Sequence, residues 1–153
     1  MTTRSTVHDS FRIERHFAAG PERVFRAFAD PAAKAKWFGG PEELKREDEE
    51  FDFREGGRER MTTVLEDGTR IGFTATYTDV VPDERMVYTY EMSMNDRRIS
   101  VSVATIEIRG ARGGSDFVLV EQGVYLDGLD NPEQRRQGTE QLMDALAKSL
   151  AAS

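Results

Sequence analysis

Residues 11–41 read FRIERHFAAGPERVFRAFADPAAKAKWFGGP, and along them the spacing of apolar positions changes character. Phe11, Ile13, Arg15 and Phe17 alternate with Arg12, Glu14 and His16, which predicts a half-buried strand. Pro21 suits the first turn of a helix, where its missing N–H would go unpaired in any case. Val24, Phe25 and Phe28 recur at helical spacing, and Asp30-Pro31 stops that run. AAKAKWF, residues 32–38, predicts a second short helix ended by Gly39-Gly40-Pro41. A strand followed at once by two short helices is the expected start of the fold.

Downstream the period returns to two. Phe51 and Phe53 share a face ahead of Gly56-Gly57, which predict a turn or bulge. Met61, Thr63 and Leu65 form the next alternation, and Glu66-Asp67-Gly68 signals a hairpin. Ile71, Phe73, Ala75 and Tyr77 follow. After Pro82-Asp83-Glu84, the residues Met86, Tyr88, Tyr90, Met92 and Met94 all fall on one face. ISVSVATIEIRG, residues 99–110, has conflicting phase, with Ile99, Val101 and Val103 opposite Ile106 and Ile108. A bulge near Ala104, or burial of both faces, would reconcile them. A turn at residues 110–115 leads into Phe117-Val118-Leu119-Val120, a strand that ends in Glu121 and Gln122 before Val124 and Tyr125. Last comes NPEQRRQGTEQLMDALAKSLAA, residues 131–152, in which Leu142, Ala145, Leu146, Ser149 and Leu150 make an amphipathic helix. Arg135 and Thr139 project onto the same arc.

The order is strand, two short helices, about six antiparallel strands and a long helix, an α+β arrangement. A curved sheet around one helix leaves a concave space of the kind that holds ligands. The 153 residues suit one domain, taken as 1–153, with residues 1–9 expected as a disordered tail.

Composition narrows the function. There is no cysteine, which excludes disulfides, thiolate metal sites and cysteine nucleophiles and fits a reducing cytoplasm. A net charge of −7 and an isoelectric point near 5.0 argue against nucleic acid and anionic membrane surfaces as partners. No apolar run is long enough to span a bilayer, and MTTRSTVHDS at the start lacks the apolar region of a signal peptide. Of the two histidines, His8 falls in the expected tail and His16 on the polar side of its strand. No catalytic triad, metal-ligand spacing or phosphate loop is present, so catalytic residues are left unassigned and neither metal nor cofactor is expected. The acidic run at residues 42–50 reads as a solvated edge.

Four stretches, in order, resemble the activator of heat-shock protein 90 ATPase-like family. ERHFAAGPERVFRAFADPAAKAKWFGGP (14–41) is similar to that family's opening, and FDFREGGRERM (51–61) to its Asp-x-Arg-x-Gly-Gly hairpin. TYTDVVPDERMVYTYEM (76–92) resembles its Val-x-Pro-x-Glu-Arg segment. LVEQGVYLDG (119–128) with RRQGTEQLMDAL (135–146) resembles a bacterial subgroup, although Gly138-Thr139 stands where the common form has Gly-Trp. The resemblance covers roughly residues 10–150. It implies the helix-grip fold of START-like and birch-pollen-allergen-like proteins, a curved antiparallel sheet of about seven strands around the C-terminal helix with an apolar cavity between. It implies no particular reaction, because the fold hosts carriers, cyclases and co-chaperones.

The expected cavity lining is Trp37, Phe38, Phe53, Met61, Phe73, Tyr77, Tyr88, Tyr90 and Met92, with Glu121, Arg135 and Thr139 at a polar end. The Tyr/Met stripe reads either as ordinary core or as a cavity wall of adaptable Met and amphipathic Tyr. Glu121 shares the face of Phe117 and Leu119 and is expected to point inward, where an isolated carboxylate needs a partner. Arg135 is the expected partner, pinning helix to sheet and lowering the carboxyl pKa; a ligand-reading or acid/base carboxylate, or an exposed strand end, are the other readings of Glu121. Gly138 is expected to let the helix approach the sheet closely. The reading that follows is a small cytoplasmic helix-grip protein binding an apolar or aromatic small molecule, with homodimerisation left open. Its alternatives are a cyclase- or hydrolase-type enzyme using Glu121 and a cavity tyrosine, and a co-chaperone-like interaction module. The family's co-chaperones carry a further client-binding domain, for which this length leaves no room.

Overall fold

β1 (Thr6–Phe17), α1 (Pro21–Ala29) and α2 (Pro31–Lys34) follow one another as the 11–41 stretch requires. Pro21 opens α1. Asp30 then caps α2, its carboxylate accepting from the Ala33 N–H at 3.0 Å, which starts a new helix where the first one ends. The computed structural model describes residues 3–41 and 43–151. Beyond α2 come β2 (Lys45–Phe51), β3 (Arg58–Val64), β4 (Arg70–Val81), β5 (Arg85–Met94), β6 (Arg97–Ala111), β7 (Gly114–Leu126) and α3 (Pro132–Ala151). The seven strands form one antiparallel sheet in the order β1-β7-β6-β5-β4-β3-β2. β2 to β7 is thus a plain meander, and α1 with α2 carries the chain from one sheet edge, β1, to the other, β2. This is the helix-grip fold: α3 packs against β1 and α1, on the concave side of the sheet.

Its buried stripe is Thr139, Met143, Leu146 and Leu150, with Leu142 half-buried beside it. They join Ile13, Phe17, Val24, Phe28, Trp37, Met86, Ile106, Phe117 and Leu119 in one core. α3 starts on Asn131, whose side-chain oxygen accepts from the N–H groups of Glu133 and Gln134 at 2.8 and 3.1 Å. The acidic run lies on the edge strand β2, where charge discourages pairing with another chain; its Glu42 falls outside the described residues.

Four expectations need correction. The tail is ordered from Thr6, which pairs with Leu126 in the β1–β7 ladder. Asp127 holds the preceding residues, accepting from the Ser5 N–H at 3.0 Å and from Arg4 at 2.9 Å, while residues 1–2 of the expected tail lie outside the described part. On β6, the inward face is Ser100, Ser102, Ala104, Ile106 and Ile108, and Val103 is exposed. The register shift falls where Met92 pairs with Ser100 but Ser93 with Arg98, so the extra residue is Ile99 and not one near Ala104. The second helix is also shorter than expected, with Trp37 and Phe38 in the turn after it. Finally, a Cβ on Gly138 would meet nothing within 4 Å: this glycine leaves space beside the helix and does not bring helix and sheet into contact.

Candidate functional site

Large and small side chains alternate across the inner face of the sheet. One cross-strand row runs Tyr77, Tyr88, Ala104, Glu121, and the next runs Ala75, Tyr90, Ser102, Gly123. Ala104, Ser102 and Ser100 supply the short side chains of this face on β6, and all three are buried. Gly123 must stay small, since a Cβ there would come within 2.9 Å of the Ser102 Oγ.

The result is a cavity of about 410 Å³ between sheet and α3, within the size range of small-molecule sites. All twelve residues expected to line it do so. Seven form a continuous aromatic belt, Trp37, Phe38, Phe73, Tyr90, Tyr88, Tyr77 and Phe53, with successive ring centroids 4.6 to 6.1 Å apart. Met61 and Met92 line the cavity with them. The Trp37 Nε1–H donates to the Ala27 carbonyl at 2.9 Å, which fixes the indole with its polar edge satisfied and leaves its ring as wall. Thr139 donates to the Arg135 carbonyl at 2.8 Å, one turn back in its own helix.

Glu121 points inward, 3% exposed, but it does not pair with Arg135 as expected. The Tyr90 hydroxyl lies between them, donating to Glu121 Oε1 at 2.8 Å and accepting from Arg135 Nη1 at 3.1 Å. Arg135 also donates to Ser100 Oγ at 2.9 Å and forms its ion pair with Asp130, the residue just before the α3 cap. Glu121 Oε2 has no hydrogen-bond partner among the described residues. Burial therefore outweighs the Tyr90 hydrogen bond and the Arg135 charge, and the Glu121 carboxyl is pushed above its usual range, the reverse of the expected direction. Burial and the Glu121 charge together drive the Tyr90 hydroxyl well up. Tyr90→Phe would leave Glu121 Oε1 without its donor as well. The expected loss is about 1–3 kcal/mol of stability, measured by denaturant unfolding; no loss would mean that this hydrogen bond does not hold the carboxylate.

A second polar cluster, unforeseen from the sequence, centres on Glu59 of β3, four strands along the sheet from Glu121 of β7. Lys34 Nζ and the Tyr77 hydroxyl both donate to Glu59 Oε1 at 2.5 Å, and the ammonium lies over the Phe38 ring, 4.4 Å from its centroid. Lys34 and Glu59 are 9% and 6% exposed. Burial lowers the Lys34 pKa against the opposing pull of Glu59. The available signal for Glu59 was parity: it lies two residues before Met61 on β3 and so faces the same side. Lys34 gave none, because a lysine in a short helix ordinarily reads as solvent-facing. The histidines take no part: His8 is exposed on β1, and His16 is on the outer face beside Asp116 at 3.0 Å.

The model of the family described as Activator of Hsp90 ATPase homolog 1-like protein matches residues 18–152. Among solved structures, a protein from Rhizobium leguminosarum is 41% identical, with 99% of this chain and 100% of that chain covered and a TM-score of 0.94. A protein from Rhizobium loti is 35% identical, with 95% and 99% covered and a TM-score of 0.87. One from Chromobacterium violaceum is 31% identical, with 92% and 96% covered and a TM-score of 0.77. No curated protein matches the chain.

Proposed function

The chain belongs to the Activator of Hsp90 ATPase homolog 1-like family, and from that premise we propose that it binds an apolar or aromatic small molecule between its sheet and α3. The observation that carries this reading is the aromatic belt around an open space of about 410 Å³, with polar groups gathered at its two ends. Flat ring faces and methionine side chains offer wide, adaptable apolar contact, and the polar ends fix orientation. The lack of cysteine supports a cytoplasmic setting; among the described residues no helix is long and apolar enough to cross a membrane.

The upward-shifted Glu121 carboxyl favours a second reading, an acid/base enzyme in which Glu121 serves as general acid. Binding ranks ahead because, among the described residues, the acid/base groups beside Glu121 in the cavity wall are already engaged, Tyr90 between Glu121 and Arg135 and Asp130 in its ion pair with Arg135. The interaction-module reading has less support: among the described residues the exposed large apolar side chains are Val7 on β1, Leu65 in the turn after β3 and Val103 on β6, too dispersed for a patch of the size partners use.

Gly138 provides the test. It lines the cavity, and a Cβ there meets nothing within 4 Å, so a large side chain can enter without displacing core. Gly138→Phe is expected to keep the unfolding midpoint while weakening the binding of a neutral aromatic probe, methylnaphthalene, by roughly tenfold or more. Equal binding by the two proteins would place the ligand elsewhere.

A further inference from the structure

The charges around the cavity are unevenly paired. Lys34 is held by Glu59 and Arg135 by Asp130. Glu121 forms no ion pair among the described residues: one oxygen accepts from Tyr90, the other, enclosed, accepts from nothing. The residue is nonetheless 3% exposed, and it lines the cavity together with the rings of Tyr88, Tyr90 and Phe73. A buried carboxylate with an unused oxygen is an incomplete arrangement, because the Tyr90 hydrogen bond and the charge of Arg135 offset its desolvation only in part.

We propose that the ligand of this cavity carries a cationic amine beside its ring system and that Glu121 is the group that recognises it. The inference rests on the small-molecule reading above and names the ligand's chemistry. An ammonium would donate to Glu121 Oε2 and supply the missing positive charge, while the faces of the neighbouring tyrosines would favour it further. A ligand carboxylate would instead set a second negative charge against the one that is already unpaired. Tyr88 and Tyr90 are held neutral, their hydroxyls raised by burial first and by the Glu121 charge second, so they do not compete for a cation as anions. The raised Glu121 carboxyl is what a carboxylate awaiting a cation should show.

Three probes of one ring system separate the outcomes: naphthylmethylamine, methylnaphthalene and naphthylacetate, titrated by calorimetry at neutral pH into the wild type and Glu121→Gln. The amine is expected to bind roughly tenfold or more tighter than methylnaphthalene, with naphthylacetate weakest. In Glu121→Gln the ratio of the amine's affinity to that of methylnaphthalene, taken within the one protein, is expected to fall roughly tenfold, to near one. If naphthylacetate equals or exceeds the amine, or the advantage survives the substitution, the cavity still binds small molecules but the amine assignment is overturned. If none of the three binds, the small-molecule reading falls and the assignment with it. Should Glu121→Gln fail to fold, the wild type decides: the Glu121 carboxyl carbon resonance must move with the amine and stay in place with methylnaphthalene, and the reverse overturns the proposal.

Discussion

Leu146→Ala is expected to remove about 2–5 kcal/mol of stability. Leu146 is fully buried, 0% exposed, in the core that α3 shares with β1, β7 and α1. It is not part of the cavity wall, so truncation opens a new void where packing is otherwise continuous. The loss then has two parts, the transfer free energy of the removed methyl groups and the contacts forfeited around the hole. Leu142→Ala is the internal comparison. Leu142 is half-buried and already borders the open cavity, so its truncation enlarges an existing space and should cost clearly less. Denaturant midpoints measure both. A Leu146→Ala shift no larger than that of an exposed-site control such as Lys148→Ala would show that α3 presents a different face to the core.

Glu59→Gln is expected to cost about 3–5 kcal/mol near neutral pH, because it leaves the buried Lys34 ammonium without its counter-charge. The pH dependence has a definite sign. The folded-state pKa of Lys34 lies below its unfolded value of 10.5, chiefly because of burial. Between those two values the unfolded chain binds more protons, so stability rises with pH through that window. Glu59 raises the Lys34 pKa by its charge and its hydrogen bond, so removing it widens the window downward. The loss in Glu59→Gln should therefore be largest near neutrality and shrink in strong alkali, where lysine is neutral in both states. Urea unfolding at neutral and alkaline pH measures this, and a loss that does not change with pH would contradict the buried-charge account. Replacing the pair together, Lys34→Met with Glu59→Leu, should recover most of the stability, since a buried ion pair often contributes little net.

Much of this architecture was legible because it is written in periodicity. Residues 11–41 carry a change of period that only a strand followed by helices satisfies, and the odd positions Met61, Phe73 and Tyr77 with the even positions Tyr88, Tyr90 and Met92 mark one continuous wall once strand order is known. Where the reading went astray, polar residues faced inward. On β6 the conflicting phase left the inner face undecided between the side of Val101 and Val103 and the side of Ile106 and Ile108; Ser100 and Ser102 share the inner face with Ile106 and Ile108. That phase conflict also concealed Ser100 as a partner of Arg135. The direct Glu121–Arg135 pair failed for a local reason: Asp130 reaches the guanidinium from the loop before α3, a competitor that a helical wheel starting at the cap does not show. Lys34 and Glu59 were missed because charged residues are almost never fully buried unless paired, and their pairing joins elements 25 residues apart.

The most direct test of the central claim uses the methionine methyl groups as reporters. Met61, Met86, Met92 and Met143 line the cavity, and Met94, at the end of β5, does not. Methyl NMR during titration with methylnaphthalene should show the signals of those four moving together and saturating at one affinity, with Met94 unmoved. Shifts that never saturate, or that fall on Met94 and spare the four, would contradict a binding site between the sheet and α3.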